Sequence, residues 1–129
     1  MIAVDTNILA RWILRDDPDQ LAIARRLLSQ PCWVNWTVLL ELVWLLGSRG
    51  GLKREEIAVI LQALLQMPTL TFDRPANLQW AVERYRKGAD IADMFHIAST
   101  DKVESFVSFE KSLRHKAGTR SPVPIALAK

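Results

Sequence analysis

Ile2-Ala3-Val4-Asp5-Thr6-Asn7 opens the chain with three apolar residues, followed by an acid, a hydroxyl and an amide. The apolar half predicts a short strand of the kind that is buried in a parallel sheet. Ligands of open α/β sheets bind beyond the carboxyl ends of the strands, so we expect Asp5 at the mouth of a site. A second interpretation stays open, in which Asp5 or Asn7 caps a helix that starts near Ile8.

The size and composition of the chain predict one globular domain with a real core. Half of its 129 residues are hydrophobic, and we expect a single domain over residues 1–129. One cysteine, Cys32, excludes an internal disulfide framework and is expected to be a small buried apolar residue. No signal peptide or membrane-spanning stretch is visible in the sequence, so we expect a protein of the cytoplasm.

Strand-like and helical spacings of apolar residues alternate along the chain. This alternation predicts an α/β protein, a three-layer α/β/α sandwich with a mainly parallel central sheet. We expect Asp19 and Thr37 to cap two of the helices, and the strand around Val107 to be buried. The strands predicted after the first cover residues 32–35, 69–72, 105–109 and 125–127. The predicted helices cover residues 8–14, 19–29, 37–46, 53–66, 74–87 and 89–100, with a short basic helix after residue 110.

Glu41 is a lone carboxylate in the apolar stretch of residues 38–46. A helix that is apolar nearly all round is buried on most faces, and a buried carboxylate is costly unless it is neutralised or paired. No Lys or Arg lies one turn away to pair with it. Glu41 therefore either faces one wet side of its helix or is held by a cation, and we favour the cation.

Two further acids, Asp90 and Asp93, lie three residues apart at a predicted helix start and share a face. Acids in a first turn stabilise it through the helix dipole, which accounts comfortably for one of the two. The helix after Asp93 is largely apolar, and His96 is expected to be a hydrogen-bonded core or rim residue rather than a ligand. Glu110 ends a predicted strand as Asp5 does, which makes it a candidate ligand. The alternative is that Glu110 is simply an acid at the N-terminus of the next helix.

These acids stand at strand ends or in apolar helices, with no basic partner in the local sequence. Carboxylates a few ångströms apart repel by about 4 kcal/mol per pair at an effective dielectric constant of about 20. A hard divalent cation relieves that repulsion, and ligation by oxygen alone suits Mg²⁺ or Mn²⁺ better than zinc. Such clusters activate water for an in-line displacement at phosphate. The candidate metal ligands are Asp5, Glu41, Asp93, Asp90 and Glu110.

Four segments of the chain resemble those of PIN domains, most closely those of VapC-type toxins from bacterial toxin–antitoxin pairs. The segments are Val4-Asp5-Thr6-Asn7-Ile8-Leu9, Glu41-Leu42-Val43-Trp44-Leu45-Leu46, Ala89-Asp90-Ile91-Ala92-Asp93-Met94-Phe95-His96-Ile97-Ala98 and Phe106-Val107-Ser108-Phe109-Glu110. They follow one another in the family's order over nearly the whole chain. The resemblance implies a PIN-like α/β/α fold and a Mg²⁺-dependent endoribonuclease, with Mn²⁺ able to substitute. It also implies inhibition by a small antitoxin.

The family's acidic positions match residues of this chain one by one. The three core positions fall on Asp5, Glu41 and Asp93, and Asp90 is an accessory candidate. The fourth position is most often an Asp, whereas Glu110 stands there in this chain. Glu is longer, so it reaches the metal through water or not at all, and the number of metal ions stays open. Residues expected to position the substrate are Thr6, Asn7 and Ser108.

The distribution of charge favours a ligand with a phosphate backbone. The net charge is +3, but residues 102–129 hold six Lys or Arg against two Glu, so the remainder sums to −1. A basic segment beside an acidic site attracts RNA, although a merely solvated surface would have the same charges. The residues expected to bind RNA are Lys111, Arg114, Lys116 and Arg120.

Five Trp residues and a half-apolar composition predict apolar faces that a partner covers. We expect a homodimer, with the helices at residues 8–14 and 19–29 as the antitoxin face.

Two rival functions remain. An aspartyl-nucleophile phosphatase has a second Asp two residues after the first, where this chain has Asn7. A non-catalytic RNA-binding PIN-like module fits the basic segment but not the separated acids, which repel RNA unless a metal intervenes.

Overall fold

Seven helices and five short strands follow one another in the computed structural model, which describes residues 1–129. The chain divides into two units, Met1–Asp73 (unit one) and Arg74–Lys129 (unit two). Strands β1 to β5 are Ile2–Ala3, Cys32–Trp33, Leu70–Thr71, Phe106–Ser108 and Ile125–Leu127. Helices α1 to α7 are Thr6–Leu14, Pro18–Leu28, Trp36–Ser48, Arg54–Gln66, Pro75–Arg86, Ile91–Ala98 and Leu113–Ala117.

All strand pairs of the protein are parallel. In unit one, β1, β2 and β3 form a sheet in that order, with Cys32 paired to Ile2 on one side and to Leu70 on the other. In unit two, β4 pairs with β5, and Phe106 lies opposite Ile125. Parallel neighbours require crossover connections, which α1–α2 and α3–α4 provide in unit one and α7 provides in unit two. The predicted α/β class with parallel strands is confirmed.

Two strands are more exposed than the sequence predicts. Ile2 and Ala3 of β1 are exposed, and burial begins only with Val4. In β4, Val107 is 58% exposed. The reason is position, since β1 is the outer strand of its sheet and β4 belongs to a sheet of only two strands. The prediction that these strands are buried is wrong.

Two helix caps also differ from the prediction. The cap of α2 is Asp17 and not Asp19, because Pro18 takes the first helical position, where its missing N–H is no loss. The Asp17 carboxylate accepts a hydrogen bond of 3.1 Å from the N–H of Gln20. Helix α3 begins at Trp36, so its cap is Asn35 and not Thr37.

Each unit buries its own set of large apolar side chains. Those of unit one include Leu9, Leu39, Leu42, Leu46, Leu61 and Leu64. Those of unit two include Leu78, Val82, Met94, Ile97 and Val123. Cys32 is fully buried, as predicted, and burial raises the pKa of its thiol. None of the helices combines the length and the apolar character needed to cross a bilayer.

Candidate acidic site

Asp5 follows β1 and is the N-cap of α1 in unit one. Its Oδ1 accepts a hydrogen bond of 3.2 Å from the backbone N–H of Ile8, and the side chain is exposed. The capping interpretation is therefore confirmed. A carboxylate offers about four acceptor sites on its two oxygens, so one hydrogen bond to the cap leaves room for another ligand. Capping and ligation are compatible roles for this residue.

Glu41 lies on the wet side of α3, among the exposed residues Thr37, Trp44 and Ser48. Their spacing of three and four residues forms a single stripe along the helix. Of the two alternatives for Glu41, the structure shows the one in which it faces the solvent-exposed side of its helix, because the apolar residues occupy the other faces. The hydroxyl of Thr6, a residue only 3% exposed, donates a hydrogen bond to Oε1 of Glu41. This bond places Glu41 beside the residue that follows Asp5.

A groove of about 280 Å³ lies between α1 and α2 and reaches Asp5. Ile23 in this groove is 47% exposed. The guanidinium of Arg11 forms an ion pair of 2.8 Å with Asp16, which lowers the pKa of that carboxyl, while the buried Arg11 Nε has no hydrogen-bond partner. The groove is lined by Asp5, Asn7, Ile8, Arg11, Gln20, Ile23 and Ala24.

In unit two, Asp90 caps α6 and accepts a hydrogen bond of 3.0 Å from the N–H of Asp93. The pKa of Asp93 is raised, first by burial and then by the negative charges of Asp90 and Glu110. The positive charges of His96 and Lys116 act in the opposite direction. Asp90 and Glu110 thus both lie within electrostatic range of Asp93.

Glu110 has a basic partner that its local sequence does not suggest. Its Oε1 lies 2.6 Å from Nζ of Lys116 and accepts a second hydrogen bond of 3.0 Å from the hydroxyl of Ser112. Both contacts lower the pKa of Glu110, that of Lys116 most strongly. The Ser108 hydroxyl accepts a hydrogen bond of 3.0 Å from the Glu110 N–H. Lys116, which was predicted to bind RNA beside the acidic site, is thus an ion-pair partner of Glu110 from α7.

Among the remaining residues predicted to bind RNA, the side chain of Arg114 is held by hydrogen bonds within the protein, whereas others are exposed. Arg114 donates hydrogen bonds of 2.8 and 3.3 Å to the carbonyl of Ile125, which ties α7 to β5. Lys111 and Arg120 are exposed. A cavity of about 380 Å³ in unit two contains Lys129, a cation that the sequence does not single out because it lies far from every motif. The cavity is lined by Glu110, Lys111, Arg114, Ile125, Ala126, Leu127 and Lys129.

The donor chemistry fits a hard cation better than zinc. The candidate ligands are carboxylates, and the pKa of Asp93 is raised first by burial and then by the negative charges of Asp90 and Glu110, which a bound cation would offset. Within either unit, no three His, Cys, Asp or Glu side chains form a ready-made metal cage. Mg²⁺ keeps several of its waters and takes only one or two carboxylates, so an open set of oxygen donors suits it.

The family comparison covers nearly the whole chain. The model of the PIN domain family matches residues 2–118, which include parts of both units and every candidate acid. No curated protein matches the chain at a significant level. The seven helices and the parallel strands are consistent with the PIN-like α/β/α fold predicted from the sequence.

Proposed function

The chain belongs to the PIN domain family, whose members are generally nucleases that typically use a divalent metal, and we propose that it is a Mg²⁺-dependent endoribonuclease. The observation that supports this most directly is the family match over residues 2–118. The acids that resemble the family's motif all lie within the matched span. Mn²⁺ is expected to replace Mg²⁺, since both favour oxygen ligands.

Asp5, Glu41 and Asp93 are the proposed catalytic acids and metal ligands, assigned through the motif. Three local features of the structure support their roles. Asp5 keeps acceptor sites beyond its helix cap, Thr6 orients Glu41, and burial together with neighbouring negative charge raises the pKa of Asp93. A bound Mg²⁺ or Mn²⁺ supplies an activated water and stabilises the charge that develops on the phosphate.

Polar neighbours of these acids are proposed to position the RNA. Asn7 is exposed in the groove that contains Asp5, where its amide is free to contact a sugar or a base. Thr6 acts through Glu41 and Ser108 acts through the backbone of Glu110, because their hydroxyls already form those hydrogen bonds. Lys111, Arg120 and Lys129 are the proposed contacts to flanking phosphates, since all three are exposed.

We further propose that the protein is the toxin of a toxin–antitoxin pair in the cytoplasm. A small antitoxin would place an apolar residue against Ile23, which is 47% exposed in the groove between α1 and α2. Because the same groove contains Asp5, such a segment would cover a catalytic acid. The 69% exposed Trp44 on α3 is the proposed contact with a second copy of the chain.

Cleavage of total RNA by the purified protein tests the proposed activity. We expect fragments in the presence of Mg²⁺ or Mn²⁺, none after EDTA treatment, and none from the Asp5→Asn variant under any condition. Binding of RNA without cleavage at any metal concentration would instead establish the non-catalytic RNA-binding module. Cleavage that persists in EDTA would remove the metal from the proposal.

The toxin role has its own test in growing cells. Expression of the wild-type chain should arrest growth, and a library of short genes from the same genome should contain one that restores it. The variant Ile23→Glu should still arrest growth but should no longer be rescued by that gene, because the groove has lost its apolar contact. Rescue of both forms alike would place the antitoxin elsewhere.

A further inference from the structure

Lys116 lies among the acids of unit two and is the base closest to Glu110. Its ammonium is 2.6 Å from Glu110, and both side chains are partly exposed, 42% for Lys116 and 37% for Glu110. The carboxylates of Asp93 and Asp90 also act on the ammonium, which raises the pKa of Lys116 beyond the effect of Glu110 alone. Lys116 is therefore ion-paired with Glu110 and lies within electrostatic range of Asp93 and Asp90.

The backbone of Lys116 is anchored, so its position does not depend on the exposed ion pair alone. Arg84 on α5 donates a hydrogen bond of 2.7 Å from Nε to the Lys116 carbonyl, and another of 3.3 Å to that of His115. Gly118, at a φ of +76°, allows this approach, since a Cβ there would lie 2.9 Å from Cζ of Arg84. These contacts hold the end of α7, from which Lys116 extends toward Glu110.

Glu110 is therefore already paired with a cation, through its Oε1, which accepts hydrogen bonds from both Lys116 and Ser112. A divalent cation that approached Glu110 would have to displace the ammonium or lie close to it, and like charges at that distance repel. Asp5 and Glu41 have no Lys or Arg partner in unit one, and only the hydroxyl of Thr6 and the N–H of Ile8 contact them.

We propose that Lys116 is a built-in counter-ion of the acidic site, which takes Glu110 out of the ligand set and limits the chain to one bound divalent cation. The inference rests on the proposed metal-dependent function. It specifies how many ions the chain binds and names Lys116 as a residue that positions the site. The ion pair with Lys116 neutralises Glu110, so Glu110 does not need a second ion as its partner.

Counting Mn²⁺ ions bound per chain, by the electron paramagnetic resonance of free Mn²⁺, tests this directly. We expect one ion for the wild type and two for Lys116→Met, which keeps the length of the side chain and removes its charge. Lys116→Arg should restore a single ion. Lys111→Met removes an equal charge from an exposed residue in the same segment and should leave the count at one.

Glu110→Gln provides a second, independent measurement, since it removes the acid and leaves Lys116 in place. It should still bind one ion with unchanged affinity, and in combination with Lys116→Met it should bring the count back from two to one. Loss of the ion in Glu110→Gln would overturn the inference, because Glu110 would then be a ligand. This measurement decides the matter even if Lys116→Met fails to fold.

The failure of this inference is distinct from failure of the proposed function. Two ions in the wild type, or one in both the wild type and Lys116→Met, would overturn the role of Lys116 while the metal-dependent nuclease stands. A second ion bound by Lys111→Met would show that the loss of any nearby positive charge raises the ion count, and this would also overturn the role of Lys116. No bound Mn²⁺ in any variant would refute the proposed metal dependence itself.

Discussion

The hydroxyl of Thr6 donates a hydrogen bond to the carboxylate of Glu41, and this bond joins the first turn of α1 to the middle of α3 in unit one. Thr6 is almost fully buried, whereas Glu41 is exposed. The bond thus fixes the orientation of an acid that is otherwise accessible to solvent.

Replacement of Glu41 by Gln should separate catalysis from stability. Gln keeps an oxygen that accepts the Thr6 hydrogen bond, so the free energy of unfolding of the metal-free protein should change by less than about 0.5 kcal/mol. Cleavage should be lost, since the amide is a poor metal ligand. Glu41→Ala should cost about 1 kcal/mol, because it leaves the buried hydroxyl without this acceptor. Urea denaturation checks both variants, and a large loss in Glu41→Gln would indicate a mainly structural carboxylate.

Asp5→Asn should abolish cleavage without unfolding α1. Asn caps helices about as well as Asp does, so thermal stability without metal should be close to that of the wild type. The stabilisation by Mn²⁺, measured as a rise in Tm, should be much reduced. Asp5→Ala should lose both the metal effect and about 1 kcal/mol of stability through the missing cap. Wild-type cleavage by the Asn variant would refute the assignment of Asp5.

Asp93→Asn should raise the Tm of the metal-free protein near neutral pH. Because the pKa of Asp93 is raised in the folded state, the folded protein binds its proton more readily than the unfolded chain does. Ionisation of Asp93 therefore lowers stability as the pH rises from the ordinary carboxyl pKa through the raised one. The Tm of the variant should exceed that of the wild type at pH values above this range, and the two Tm values should agree at pH values below it. A lower Tm for Asp93→Asn at neutral pH would contradict the sign of this effect.

Removal of Lys111 and Arg120 should weaken RNA binding with little dependence on sequence. Each phosphate contact contributes roughly 0.7 to the slope of log affinity against log salt for a single strand, so the double Ala variant should lose about 1.4. Arg114 and Lys116 are unsuitable for this test, because their side chains also contact Ile125 and Glu110. Arg25→Ala with Arg26→Ala, two exposed residues of α2, is the matched control. An unchanged slope in the Lys111 and Arg120 variant would mean that these cations are only solvated.

Trp44→Lys should convert a dimer into a monomer. A 69% exposed Trp is costly in water, and a second copy that covered it would remove a large apolar area from solvent. Sedimentation velocity at micromolar concentration should show a dimer for the wild type and a monomer for the variant. Ile23→Lys, a change of the same kind on α2, should leave the dimer intact. A monomeric wild type would exclude the dimer.

The sequence by itself determined the parts of this protein that depend on neighbours along the chain. The alternation of strand-like and helical spacings predicted the parallel α/β class, and the isolated apolar run at residues 125–127 predicted β5 with its observed bounds. The capping role of Asp5 was among the alternatives, because a cap depends on residues within one helical turn, whereas its candidate role as a ligand depended on acids farther along the chain. The motif also predicted membership of the PIN domain family, which the match over residues 2–118 confirms.

The tertiary structure alone decided which side chains contact one another and which faces of the helices and strands are exposed to solvent. Thr6 and Glu41 are 35 residues apart, so no spacing rule connects them. Lys116 reaches Glu110 only because α7 folds back along β5, held by Arg114 and Arg84. The exposure of β1 follows from its place at the edge of a sheet, and that of Glu41 follows from which stripe of α3 meets solvent. Hydrophobic periodicity reports the pattern within an element, whereas burial and pairing depend on the elements that pack against it.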